Sequence, residues 1–293
     1  MIECVPNVSE GRDRRIVEKI AASIIGCHLL DIHSDPDHHR SVFTLIGDER
    51  QIAEGAVALM KSATALLDLR THRGVHPRMG AVDVIPFVPV GSTPMSTCVA
   101  VAQRVGRSIG DGLGVPVFLY GAAAQSPSRT SLASIRRGGF EHLSTKFEEM
   151  LPDYGPTIPH ASAGAVAIGA RPLLVAYNVL LDSTDVSIAK QIAATIREAN
   201  GGLPGLKALG FELASRQRVQ VSMNLTDVSA TTIPAAFNAV RREAKRLGVG
   251  VLESEIVGLI PRRALDGATA SDLLLPYDPQ DRILEIRIEG SER

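Results

Sequence analysis

The chain has no tryptophan, and aromatic residues make up only 4% of its 293 positions. The stacking platforms that grip single-stranded nucleic acid are therefore not expected, and the core must be mainly aliphatic. Neither charge sign is in excess: Lys plus Arg total 31 against 32 Asp plus Glu, a formal charge of −1. Bulk attraction to nucleic acid or an anionic membrane is excluded on that balance, so any anion site must be local. Three cysteines, Cys4, Cys27 and Cys98, are an odd number without close spacing, each in an apolar segment, and predict reduced core thiols. No apolar run approaches the length of a membrane span, and the opening Met1 to Pro6 has no basic region followed by a long apolar stretch. Those features place the protein in the cytoplasm. There is no GxxxxGK[ST], HExxH or CxxC, and Gly164 to Gly169 lacks the strand, glycine turn and helix that a dinucleotide fingerprint needs. Neither Ser9 nor Cys98 sits in a nucleophile elbow, so covalent catalysis is not expected.

What is present is a repeated order of elements. The length suggests two lobes or one large domain. Periodicity predicts a strand Ile2 to Val5, a helix Arg14 to Ile25, strands His28 to His33 and Ser41 to Ile46, a helix Glu49 to Leu67 and a strand Val82 to Val90. The same β-α-β-β-α-β order returns as Leu173 to Leu180, Asp185 to Glu198, Ala208 to Leu213, Arg218 to Asn224, Pro234 to Leu247 and Val249 to Ile256. The expected fold is α/β (α+β): two ferredoxin-like βαββαβ lobes, residues 1–172 and 173–293, with stacked sheets, helices outside and a cleft or tunnel between them. A helix from Met95, a strand Val115 to Tyr120 and a helical stretch Phe140 to Met150 are additions to the first lobe. The alternation in Arg282 to Ile288 predicts an edge strand.

The tightest cluster of chemically capable residues is His72 to Asp83, two imidazoles, two guanidinium groups and a carboxylate in a loop punctuated by Gly74, Pro77 and Gly80. A second segment, Asp31 to Arg40, supplies His33, His38 and His39 with Asp31, Asp35 and Asp37 between adjacent strands. If the two segments meet, they build a general acid/base site, because a carboxylate orients and stabilises a protonated imidazole. The competing reading of His38 and His39 is a solvated hairpin loop, and His28 and His142 read as structural. A His/Asp metal site is a rival whose ligand spacing is not matched. A third segment, Gly155-Pro156-Thr157-Ile158-Pro159-His160-Ala161-Ser162-Ala163-Gly164, is rich in small residues and reads as a connector able to line a cleft.

Glu3 to Gly11, the His76-to-Ala81 stretch HPRMGA with Asp83 and Pro86 to Pro89, Gly169-Ala170-Arg171, Ala176-Tyr177-Asn178 and Gln220 to Asn224 together resemble the glutamate formimidoyltransferase family. The resemblance spans nearly the whole chain and matches the transferase portion alone, without the cyclodeaminase domain of the bifunctional animal enzyme. It implies two α/β lobes and transfer of a formimino group from N-formimino-L-glutamate to N5 of tetrahydrofolate in histidine degradation. Tetrahydrofolate would be a co-substrate, and no metal is implied. It further implies His76 as the general acid/base and Gly155 to Gly164 as the folate-binding segment. Substrate contacts fall on Asn7, Arg40, Arg78, Asp83, Arg171 and Asn178, the arginines being natural clamps for substrate carboxylates. The partners implied are small molecules and a second copy in a homodimer, with no nucleic acid and no membrane. Two positions depart from the family pattern: Val75 stands where members commonly carry Glu, and His39 where they commonly carry Asn. Formyl transfer between glutamate and tetrahydrofolate, a non-catalytic folate-binding protein and a metal-dependent hydrolase remain open as alternatives.

Overall fold

The computed structural model describes residues 1–75 and 77–291, so the expected acid/base His76 lies outside the described residues. Contacts divide the chain into two compact units, Met1–Pro172 and Leu173–Arg293.

In the first unit the elements run β1 (Ile2–Cys4), β2 (Asn7–Val8), α1 (Arg14–Ala22), β3 (His28–Asp35), β4 (Arg40–Gly47), α2 (Glu49–Leu66), β5 (Val82–Pro89), α3 (Met95–Leu113), β6 (Val117–Gly121), α4 (Leu132–Arg136), α5 (Leu143–Glu149) and β7 (Val166–Ala170). Helix starts follow local chemistry: Asp13 caps α1 by accepting from the Arg15 amide, and Asp48 with Gln51 closes a capping box on α2. β1 and β2 both pair antiparallel with β4 and β5, so they act as one strand interrupted at Val5-Pro6. Pro6 has no amide proton to give the ladder, which is why the interruption falls there.

The antiparallel core β5-β1-β4-β3 is the split βαβ order that periodicity predicted. β7 then pairs parallel with both β5 and β6, making the sheet seven-stranded and mixed. β7 is missing from the periodicity reading because every residue in it is buried, so it shows no alternation. The segment expected to be a connector to the second lobe therefore leads into a central strand of the first.

Helices α1 to α3 cover one face of this sheet over a core that includes Phe43, Phe87, Leu59 and Ile109. The expectation that helices cover one face only is corrected in this unit. Ile135 of α4 and Leu143 and Phe147 of α5 pack with Val84, Phe118, Tyr120 and Ala167, whose side chains alternate with those of the main core. The reason is composition: the added strands β6 and β7 are apolar on both faces and need cover on both.

The second unit repeats the plan with β8 (Val175–Leu181), α6 (Val186–Ile196), β9 (Leu206–Leu213), β10 (Arg218–Leu225), α7 (Ile233–Arg246) and β11 (Val251–Val257) in a four-stranded antiparallel sheet, order β11-β8-β10-β9. Alternate residues Val175, Tyr177, Val179, Leu181 and Val219, Val221, Met223, Leu225 enter a core closed by α6 and α7. Short helices α8 (Ala270–Leu273) and α9 (Leu284–Ser291) end the unit. The edge strand expected at Arg282 to Ile288 is thus corrected to helix. Ile283 and Leu284 are buried while Ile286 and Ile288 are half-buried, a short apolar run that alternation alone cannot assign to either period.

The three cysteines are free, and burial pushes Cys4 well above its ordinary thiol value and Cys27 and Cys98 up to about 11. Among the described residues no helix is long and apolar enough to cross a membrane.

Candidate active site

The turn between β3 and β4 is built by Asp35. Its Oδ1 accepts the amides of Asp37 and His38 at 2.8 Å each, and its Oδ2 pairs with His38 Nδ1 at 2.6 Å. Burial raises the Asp35 pKa, but the His38 hydrogen bond and charge with the two amides outweigh it and hold the carboxyl at about 2. This hairpin is not the solvated loop that the sequence left open: His38 is buried and the His39 side chain is 13% exposed. His39 adopts a left-handed φ of 51°, which turns its ring toward β2 and the His72 loop.

There His39 Nδ1 meets the Arg73 carbonyl at 2.8 Å and Nε2 meets Glu10 Oε1 at 3.2 Å. The same Glu10 oxygen accepts the amides of Arg12 and Asp13. Both ring nitrogens of His39 thus face oxygen atoms. Its ring stacks on His72 at 4.1 Å with 9° between planes.

His72 is placed differently. Its Nε2 donates to the His39 carbonyl at 2.9 Å, and its Nδ1 accepts from Arg78 Nε at 3.0 Å. Those two bonds select the neutral Nε2–H tautomer. Burial, reinforced by the charges of His39 and Arg78 and opposed by the carbonyl bond, lowers its pKa to about 4. With its lone pair committed to Arg78, His72 is a support for the arginine and not a base.

Arg78, held from below by His72, presents both terminal nitrogens to Glu141: Nη1 to Oε2 at 2.9 Å and Nη2 to Oε1 at 2.8 Å. Asp83, buried, accepts the Met79 amide at 2.8 Å and pairs with Arg136 Nη2 at 2.6 Å, and Arg136 also donates to the Pro77 carbonyl. The backbone on both sides of position 76 is therefore tied down. The Val75 amide bonds the Asp37 carbonyl, the carbonyls of Arg78 and Met79 take the amides of Phe140 and Ala165, and Ser9 Oγ donates to the Gly80 carbonyl. Gly80 and Gly164 bring two segments of the chain so close that a Cβ on either would fall 2.1 Å from a backbone oxygen.

The structure thus brings the His72-to-Asp83 and Asp31-to-Arg40 segments together. Asn7, Arg40, Arg78 and Asp83 line one recess of about 10 Å³ with Ser9, His38, His39 and His72. Room for about one water remains between them. Next to it lies a groove of about 520 Å³, lined by Leu69, Arg70, Arg73, Phe140, Glu141, Ser144, Pro159, His160 and Ala161. That volume lies in the small-molecule range. The Arg78–Glu141 pair stands between recess and groove, Arg78 on one side and Glu141 on the other.

Of the Gly155-to-Gly164 segment, Pro159 to Ala161 line the groove, while Pro156, Thr157 and Ile158 are exposed and Gly155 packs against Gly110. Ser162 to Gly164 brace the loop through their backbone, the Ser162 and Ala163 carbonyls accepting the Leu69 and Ala81 amides. One expected substrate contact of the first unit is not brought to the recess. Arg171 follows the far end of β7, its amide bonded to the Phe87 carbonyl, whereas Gly164 before the same strand meets Gly80. Asn178 belongs to the second unit, where it is buried and donates to Glu255 at 3.1 Å. Sequence reading missed Arg136 and Glu141 altogether. Arg136 ends α4 and Glu141 lies in a short 3-10 turn, and nothing local distinguishes either from neighbouring charges.

A mixed α/β unit with a doubly braced histidine–arginine loop, followed by a second βαββαβ unit, has a counterpart among known families. The family model described as "Formiminotransferase domain, N-terminal subdomain" matches residues 1–171, and that described as "Formiminotransferase domain" matches residues 176–273. The chain belongs to the formiminotransferase family. Among its relatives, glutamate formimidoyltransferase of Thermoplasma acidophilum is 45% identical over 99% of this chain and 97% of its own length. The enzyme of the same name from Streptococcus pyogenes serotype M1 is 42% identical over 99% of both. Formimidoyltransferase-cyclodeaminase of Rattus norvegicus is 38% identical over 99% of this chain, which spans 60% of that longer protein.

Proposed function

We propose that this chain is a cytoplasmic glutamate formimidoyltransferase, acting as a homodimer, that moves the formimino group of N-formimino-L-glutamate to N5 of tetrahydrofolate in histidine degradation. The observation that carries the reading is the loop around position 76, braced on both flanks beside a groove of about 520 Å³ and next to a guanidinium presented by a neutral histidine. The names of its full-length relatives support the same activity.

In this reading N5 attacks the amidine carbon, a tetrahedral adduct forms, N5 loses its proton and the departing glutamate nitrogen gains one. His76 carries that proton from one nitrogen to the other. His72 is unsuited to the task because Arg78 occupies its lone pair. Acid/base transfer of this kind is worth about 10²–10⁴-fold, and positioning of the two substrates supplies more. The domains 1–172 and 173–293 are taken as the N- and C-terminal formiminotransferase subdomains, and His160 with its neighbours as part of the folate contact.

The test is incubation with tetrahydrofolate and either formimino- or formylglutamate, with and without chelator. The expected result is 5-formiminotetrahydrofolate in equal yield in both conditions. Product from the formyl donor alone would reassign the donor, and no product from either would defeat the reading. His76→Ala should retain folate affinity and lose about 10²-fold or more in turnover. Near-wild-type turnover would remove His76 from the mechanism.

A further inference from the structure

The guanidinium of Arg78 is prepared as a receptor for a carboxylate. Its Nε is fixed by the lone pair of His72, its Nη2 also reaches the His72 carbonyl, and its plane lies 5.8 Å from the centre of the Phe140 ring. The side chain is 12% exposed, and its Nη1 and Nη2 edge is the one turned to Glu141. A planar fork immobilised from behind suits bidentate capture of an oxyanion such as a carboxylate. In the structure that edge is taken by Glu141, whose own side chain is 55% exposed.

The Glu141 side chain is held there by Arg78, while the backbone beside it is anchored by the Phe140 amide on the Arg78 carbonyl. Glu141 lies in a single 3-10 turn, Phe140–His142, that follows Gly138 and Gly139, both with positive φ of 88° and 64°. Those backbone angles favour glycine. The Arg78 hydrogen bonds lower the Glu141 carboxyl below its ordinary value, with burial opposing, and the Arg73 charge acts in the same direction as Arg78. The carboxylate thus reaches in from the groove side to a cation on the recess side.

We propose that Glu141 is a resident stand-in for a ligand carboxylate, and that Arg78 is the seat for a carboxylate of the glutamate-type donor, which displaces Glu141 on binding. The identity of the donor rests on the proposed function; the competition at Arg78 does not. Because Glu141 is more than half exposed, its hold on Arg78 is weak enough for a ligand to overcome. Closure of the latch lowers the apparent affinity for the donor by the fraction of time Arg78 is occupied. Glu141 is therefore a specificity device: a ligand must bring a carboxylate at least as well placed as its own to open the site.

The test is calorimetric titration of the intact chain with glutarate and with L-glutamate, in wild type, Glu141→Gln, Glu141→Asp and Arg78→Gln, with melting temperatures recorded for each. Glu141→Gln removes the competing charge and should tighten glutarate binding by about 3- to 10-fold. Glu141→Asp, too short to span the same distance, should tighten it in the same direction. Arg78→Gln, at an unchanged melting temperature, should abolish binding. Unchanged or weaker binding in both Glu141 variants would overturn the proposal and leave Glu141 as a strut for the loop. Absence of dicarboxylate binding to any of the four proteins would overturn it as well. Tightened glutarate binding in a protein that transfers neither formimino nor formyl groups would preserve the carboxylate seat and defeat only the proposed function.

Discussion

His39 and His72 stack within 4.1 Å of each other yet face different partners. His39 faces a carbonyl and a carboxylate, His72 a carbonyl and a guanidinium. The consequence for stability has a definite sign. Unfolded, His72 takes up a proton near its ordinary 6.5, whereas in the fold it does so only near about 4. The stability this provides is complete above pH 6.5, and it is lost as pH falls toward 4, at most about 3 kcal/mol. Asp35, held at about 2 against 3.8, adds a second loss between those values at lower pH. The urea midpoint should therefore drop between pH 6.5 and 4, and the drop should shrink in His72→Gln. An identical pH slope in that variant would assign the effect to other groups. Val75, by contrast, is 42% exposed, so a carboxylate at this position would keep contact with water.

At the scale of elements, the site depends on one close approach between the loop after position 76 and the chain entering β7. Gly164 has φ +67°, and a Cβ there would fall 2.1 Å from the Met79 oxygen. Gly164→Ala should cost about 2 kcal/mol or more, from backbone strain and the clash together. Hydrogen exchange should accelerate at the amides of Ala81 and Ala165, which bond to the Ala163 and Met79 carbonyls. Wild-type exchange at both amides would mean that the two segments do not depend on this contact. The same elements show where periodicity fails. Long half-buried helices such as α2 and α3 were legible, since one apolar face against water leaves a 3.6-residue repeat. β7 and α9 were not, because a strand buried on both faces and a short terminal helix leave no such contrast.

At the scale of the molecule, each unit carries its own core, and the two clusters share no residue. Phe237, 1% exposed, lies in the second core, far in sequence from every residue of the loop. Phe237→Ala should cost about 3–5 kcal/mol. We expect accelerated hydrogen exchange throughout 173–293 with protection retained in β1 to β7. Equal loss of protection in both units would show that they unfold as one.

The sequence by itself determined the repeated βαββαβ order, the aliphatic core, the family and the two loops from which the site is assembled. These are local properties: periodicity reports which face meets water, and short motifs report which backbone must turn. Only the tertiary structure decided the partner of each charged group. Arg78 pairs with Glu141 and Asp83 with Arg136 across more than fifty positions of chain. His39 pairs with Glu10, in the connection between β2 and α1. Such pairings depend on the path of the backbone through space, where a charge at any position can meet any other, and they leave no repeat along the chain from which they could be read.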